Sequence, residues 1–349
     1  MSAFGPPQKS PRILLVRLSA IGDVVHGLPV LCALREHFPG AVLAWVVEDR
    51  AAAVLRGHPA LDELIVVPRG WLKSPAAIWR LRKLLRAVRP QVSVDLQGLA
   101  KSAVAARLSG ARQRIGFGDE KGRELSTWLN NCLVRTVSRH IIDCNLELLR
   151  PLGIERPQVR FGLVESEQDG RVAAAIVRSH GLEEGFAIIN PGAGWPSKLW
   201  PADRYAQVAR WLGISAGLVT LVVWGGGQER TLAEQIVTGA EGHARLAPPT
   251  SLMELAALAR RARLFLGSDT GPLHLAAATG TSCVGLYGPM PAQRNGPYGS
   301  QHIALQAACF QGTSRQRRNA PRELMEAITV EAVCQACAKI LGRNTTEAA

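Results

Sequence analysis

At 349 residues the chain is long enough for two domains, each with its own core. It is ordinary globular material, 47% hydrophobic and 5% aromatic, and its longest apolar stretches, such as Leu218–Trp224, are strand-sized, so nothing reads as a membrane span. Seven cysteines, an odd number spread along the chain, argue for reduced thiols in a cytoplasm and against a disulfide framework.

The first twelve residues hold Pro6, Pro7, Lys9, Pro11 and Arg12 without an apolar h-region. They show no secretory signal and read as a loose tail. The net charge of +13 is lopsided: residues 1–160 hold 24 Lys+Arg against 13 Asp+Glu, whereas residues 161–349 hold 17 against 15. A basic half concentrates an anionic partner through its long-range field, be it nucleic acid, an anionic membrane face or a phosphorylated substrate. Solubilising surface charge is the plain alternative. Nucleic acid is disfavoured, because the basic residues lack interleaved aromatics in a chain with three Tyr and seven Phe.

The N-terminal half alternates strand and helix signals, the pattern of a doubly wound parallel sheet. A strand at 13–18 leads to a helix from about Val24 to His37. A strand at 42–47, a short helix at 51–57 and a strand at 63–67 follow. A basic helix from about Ala76 to Val88 stops at Arg89-Pro90. The strand 92–96 then runs into Gln97-Gly98 and the helix Ala100–Leu108. After a linker between Gly162 and Glu184, blurred by a helix-like 166–180, the pattern repeats. Strand 186–190 runs into Pro191-Gly192-Ala193-Gly194, and a helix begins near Pro201. Strand 218–224 ends in Gly225-Gly226-Gly227 before the helix 228–237. A helix at 251–262 leads to strand 263–268, helix 272–279 and strand 283–287. A last helix, Val330–Leu341, could cross back to the first domain. It carries Cys334-x-x-Cys337, which lacks a second pair and reads as helix-face thiols rather than a zinc or redox site.

Two turns stand out: Ser19-Ala20-Ile21-Gly22-Asp23 and Asp269-Thr270-Gly271-Pro272-Leu273-His274. Each follows a strand-like run and opens a helix, where open α/β sheets place ligand chemistry. One such turn per half suggests two nucleotide-fold domains facing a shared cleft, an arrangement suited to group transfer. Glycine-rich turns suit phosphate, because glycine admits a close ligand and the helix N-terminus offers unpaired N–H groups. The chain has neither a G-x-G-x-x-G opening a first βαβ unit nor a G-x-x-x-x-G-K-[ST] loop, which lowers the dehydrogenase and ATPase readings.

Lys198, four residues past Gly194, can neutralise a diphosphate as a point charge. Asp269 suits sugar hydroxyls better than phosphate, which would repel it. His274 could contact the ligand or simply orient the turn. Asp23 is either a first-turn helix cap or the base that takes a proton from an attacking hydroxyl. Asp95 is a second carboxylate in the same layer, as base or as scaffold.

These residues resemble the bacterial ADP-heptose:lipopolysaccharide heptosyltransferases, glycosyltransferase family 9, and look most like the heptosyltransferase I branch. The matching stretches are Arg17–His26, Trp45–Glu48, Asp95–Ala103, Lys198–Pro201, Trp224-Gly225, Ser268–His274 and Tyr287–Pro289, in the family's order across roughly 12–342. The resemblance implies a GT-B α/β architecture of two Rossmann-like doubly wound domains. Residues 1–165 would bind the acceptor and 166–328 the nucleotide sugar, with 329–349 as the C-terminal helix. It implies inverting heptose transfer from ADP-L-glycero-D-manno-heptose to the Kdo/lipid A inner core, with no cofactor and no obligatory metal. Another nucleotide sugar or glycan acceptor on the same fold is the alternative.

By the same resemblance Asp23 matches the general base and Lys198 the residue that neutralises the donor diphosphate. Gly194, Glu229, Asp269, Thr270, Gly271 and His274 would bind the donor, Glu229 at its ribose and Asp269 at heptose hydroxyls. Ser19, Gly22, Arg69, Lys73, Gln97, Lys101 and Arg123 would bind the acceptor, the cations holding its anionic groups. The implied partner is a Kdo-lipid A acceptor at the cytoplasmic face of the inner membrane, which makes the protein cytoplasmic and peripherally membrane-associated. Ala193 and Gly194 stand where hydroxyl side chains would be expected on the donor phosphates. The stretch Cys309–Met325, with its Arg315-Gln-Arg-Arg318 run, hints at sister branches. The sequence is silent on oligomeric state.

Overall fold

Strands that are apolar on both faces can be buried only if helices cover both sides of their sheet. The chain does this twice. The computed structural model describes residues 11–123 and 125–342. It divides between Val164 and Glu165, one residue from the expected boundary. The division is anchored on each side. His58 Nε2 bonds the Phe161 carbonyl in the first unit, and Glu165 takes both guanidinium nitrogens of Arg261 at 2.8 Å in the second.

The first unit runs β1 (Arg12–Val16), α1 (Ile21–Val25), α2 (Leu28–His37), β2 (Val42–Glu48), β3 (Glu63–Val67), α3 (Pro75–Ala87), β4 (Val92–Asp95), α4 (Ala100–Leu108), β5 (Gln113–Phe117), α5 (Ser126–Leu129), β6 (Cys132–Val134) and α6 (Ile141–Glu147). Its strands are all parallel in the order β3-β2-β1-β4-β5-β6. Right-handed crossovers fix the layers. Those running from β1 out to β3 put α2 on one face, and those running from β3 through β4 and β5 to β6 put α3, α4 and α5 on the other. Accordingly α3 packs on α4, α4 on α5, and α2 on α6.

Three expectations change here. The single helix at 24–37 is two helices, because Pro29 lacks the N–H that would continue the first. Gly27 fits at the break: a Cβ there would lie 2.7 Å from the Trp45 ring. The short helix at 51–57 is a 3₁₀ segment, Asp49–Val54. Of the N-terminal tail, residues 1–10 lie outside the described residues, while Arg12 already belongs to β1.

The second unit runs α7 (Glu167–Ser179), β7 (Phe186–Asn190), α8 (Ala202–Ala216), β8 (Val219–Val222), α9 (Gly227–Gly239), β9 (Ala244–Leu246), α10 (Leu252–Arg261), β10 (Leu264–Ser268), α11 (Gly271–Ala278), β11 (Cys283–Leu286), α12 (Ala292–Asn295), β12 (Ile303–Leu305), α13 (Ser314–Arg318), α14 (Glu323–Glu326) and α15 (Val330–Ile340). Its order, β12-β11-β10-β7-β8-β9, is the first sheet's order over again, with β7 in the place of β1. The segment expected to blur the linker is α7, the first element of this unit.

The last helix packs on the core of the second unit. Val333, Cys334 and Cys337 of α15 are buried in the core formed with α8 and β11, completing the second unit. Burial pushes the Cys334 thiol up to about 12 and Cys337 higher still, so neither supplies thiolate near neutral pH. Among the described residues no group of His, Cys, Asp or Glu could hold a metal ion. No described helix is long and apolar enough to cross a membrane.

Candidate active site

In an open parallel sheet whose strand order reverses, neighbouring loops part at the reversal and leave a crevice beyond the strands' carboxyl ends. The first sheet reverses between β1 and β4, where Val16 pairs with Asp95. The second reverses between β7 and β10, where Asn190 pairs with Gly267. Both sequence turns stand at these points.

At the first, Asp23 lies in the first turn of α1. Its Oδ2 accepts the Ala20 N–H at 3.1 Å, and its Oδ1 sits 2.5 Å from an Arg17 guanidinium nitrogen. Asp23 thus caps the turn while it stays 35% exposed. Arg17, nearly buried, also donates to the Leu96 carbonyl at the end of β4, so it spans the two loops. Its own carbonyl accepts from the buried Trp45 indole at 3.1 Å.

Gln97 reaches across the reversal and accepts the Leu18 N–H at 2.9 Å. Lys101 in α4 donates to Ser19 Oγ at 3.0 Å and to Glu48 Oε1 at 2.9 Å. Asp95 is fully buried and takes the N–H groups of Gln97 and Gly98 and the Asn130 amide. Burial raises its pKa against those hydrogen bonds. Of its two readings the structure selects the scaffold.

Ser19, Gly22, Asp23, Gln97 and Lys101 thus belong to one constellation. Arg69 and Lys73 do not: they are exposed after β3, at and beyond the turn into α3. Arg123 is exposed too, tied back where its N–H meets the Gly98 carbonyl at 2.9 Å.

At the second reversal Asp269 is buried with each oxygen engaged. Its Oδ2 lies 2.5 Å from Lys198 Nζ, and its Oδ1 lies 2.9 Å from His274 Nε2. Burial opposes ionisation, but the His274 hydrogen bond and the Lys198 charge overcome it and hold the carboxyl at about 2. Lys198 also donates to the Asp269 carbonyl at 3.1 Å. An ammonium has three N–H donors, so two serve Asp269 and one remains. The Nζ stands 4.6 Å from the Trp195 ring centroid.

Thr270 is the N-cap of α11, but its hydroxyl accepts from Asn190 at 3.3 Å and does not cap the helix. With Pro272 donating nothing, the Gly271 and Leu273 N–H groups at this N-terminus are left for a ligand. Glu229, in the first turn of α9, accepts the Gly225 N–H at 2.7 Å, and its carboxylate lies over Gly192. Burial raises the pKa of this carboxyl. Gly194 opens onto free space.

The model of glycosyltransferase family 9 (heptosyltransferase) matches residues 78–324. The chain belongs to that family. A curated relative, lipopolysaccharide heptosyltransferase 1 of Pseudomonas aeruginosa, is 28% identical over 306 residues, covering 84% of this chain and 83% of its own length. A family 9 glycosyltransferase from Veillonella parvula has a TM-score of 0.82 at 26% identity, covering 96% of this chain and 98% of that one. The E. coli heptosyltransferase WaaC with ADP has a TM-score of 0.75 at 25% identity, covering 94% and 99%. As a family 9 glycosyltransferase the protein has the two Rossmann-like units of the GT-B class.

Sequence reasoning gave no role to Arg17, Glu48 or Asn190. The signal for Arg17 was present, as a cation interrupting the apolar run Ile13–Leu18. Nothing local marks the partnership of Glu48 with Lys101, which spans 53 residues of sequence.

Proposed function

We propose that this family 9 enzyme is an inverting heptosyltransferase that moves heptose from ADP-L-glycero-D-manno-heptose to the Kdo/lipid A inner core of lipopolysaccharide. The observation that carries the reading is Lys198, held with one N–H uncommitted on the switch-point turn of the second unit. The uncapped N-terminus of α11 belongs to the same turn. The acceptor hydroxyl gives its proton to the Asp23 carboxylate as its oxygen attacks the anomeric carbon. The bond from that carbon to the β-phosphate oxygen breaks, and ADP leaves with the electron pair. Lys198 and the α11 N–H groups meet the charge that grows on the leaving diphosphate, so they bind the transition state better than the ground state. With that counter-charge in place, no metal is required.

In this account Glu229 accepts from the ribose hydroxyls, and Gly194 lets the diphosphate approach the backbone. Asp269 and His274 hold Lys198, and the spare lone pairs of Asp269 serve heptose hydroxyls. Ser19, Gly22, Gln97 and Lys101 shape the acceptor side, while Arg69, Lys73 and Arg123 attract its anionic groups. An acceptor of this kind places the protein in the cytoplasm, peripherally on the inner membrane.

ADP release measured with and without Kdo2-lipid A tests the reading, in the presence and absence of EDTA. Acceptor-dependent release unaffected by EDTA is expected. Release only with another sugar nucleotide would overturn the donor assignment.

A further inference from the structure

One surface of the first unit is left without a role by this chemistry. The layer α3–α4–α5 covers one face of the first sheet, and α3 itself contains four Lys/Arg and no Asp/Glu. Leu81 and Leu85 bury the inner stripe of α3. Trp79 points the other way, 65% exposed, with Lys83 Nζ one turn on at 5.8 Å from its ring centroid. No carboxylate among the described residues pairs with Arg80, Arg82, Lys83 or Arg86. In the same layer Trp128 of α5 is 85% exposed.

Outward tryptophans are costly in water unless something covers them. What covers these must be anionic, since the cations of α3 are uncompensated, and extended enough to meet a whole helical layer. An indole beside cations is the pairing found at the headgroup level of bilayers, its ring among the acyl ends and its N–H in the wet zone. We propose that the α3–α5 face of the first unit docks on an anionic lipid bilayer. Trp79 and Trp128 seat in the interface, and Arg80, Arg82, Lys83 and Arg86 lie against lipid phosphates. The inference deepens the reading of a lipid-borne acceptor and rests on it, by naming the surface that brings the enzyme to that lipid.

The test is co-sedimentation of the full chain with phosphatidylglycerol/phosphatidylcholine vesicles, against vesicles of phosphatidylcholine alone. Binding to the anionic vesicles alone is expected, and it should fall steeply with added salt. At about fivefold per cation, the triple variant R80Q/K83Q/R86Q should lower the partition coefficient on the order of a hundredfold. W79A should lower it several-fold while keeping the salt dependence. ADP binding by the same variants, which touch neither switch point, should equal wild type and reports that they fold. Wild-type vesicle binding by both variants would overturn the proposal. So would retention by single-stranded polynucleotide in place of vesicles, or a dimer that W79A dissolves without any vesicle binding. Were the transferase reading wrong, detergent-solubilised acceptor would not be glycosylated even by wild type, whereas the vesicle result would be untouched.

Discussion

The two oxygens of Asp269 hold different nitrogens, and that pairing makes the residue's ionisation part of the fold. Its folded pKa of about 2 lies below the ordinary 3.8, so the stability it contributes is complete above about pH 4 and is lost as pH falls through 2. The shift corresponds to about 2 kcal/mol. Urea unfolding of Asp269→Asn should therefore show an acid limb between about pH 4 and 2 that is shallower by about that amount. An acid limb identical to wild type would mean the pairing contributes nothing. Lys198→Ala removes the cation proposed for the diphosphate and leaves a buried carboxylate with one partner fewer. It should lower kcat by about a hundredfold or more and lower the melting temperature as well. Full turnover would remove Lys198 from the site. Gly192→Ala would place a Cβ 2.2 Å from the Glu229 carboxyl carbon, so the glutamate must move. ADP should then bind several-fold more weakly, a shift that titration calorimetry reads directly.

At the scale of elements, the turns are what the sheets exist to hold. Gly98 has φ +65°, and a Cβ there would meet the Lys121 carbonyl at 2.3 Å. Gly98→Ala should destabilise the first unit by more than the roughly 1 kcal/mol of a left-handed conformation alone, as chemical denaturation would show. The elements bearing the site were legible because each is a short apolar run with punctuation: β1, β4, β7 and β10 all lie within two residues of their expected bounds at each end. β5 and β6 were not legible. Gln113-Arg-Ile-Gly-Phe carries polar residues at its start and a glycine within, and Cys132–Val134 is three residues long, so neither shows a period. The need for glycine at the break between α1 and α2 was equally hidden, because what crowds Gly27 is a tryptophan from β2, 18 positions away in the chain.

At the scale of the whole molecule, the chain repeats one sheet order and furnishes its two reversals differently. One carries a carboxylate held by a cation, the other a cation held by a carboxylate. The repetition was readable from alternating strands and helices, and so was the placement of Asp23, Lys198 and Asp269 on their turns. What pairs with what was not, since those contacts span 71 residues for Lys198 and Asp269 and 79 for Arg17 and Leu96. The charge asymmetry is also a whole-molecule property. Replacing Arg69, Lys73 and Arg123 together by glutamine should raise the acceptor KM and flatten its dependence on salt, with the donor KM unchanged. A change confined to the donor KM would place those cations elsewhere.

The most direct test of the account is acceptor-dependent ADP release from ADP-L-glycero-D-manno-heptose, comparing wild type with Asp23→Asn at matched ADP affinity. The account predicts release by the wild type with Kdo2-lipid A and a loss of at least about a thousandfold in the variant, the scale of a general base at work. Wild-type release by Asp23→Asn would contradict it, leaving Asp23 as the cap of α1 and nothing more.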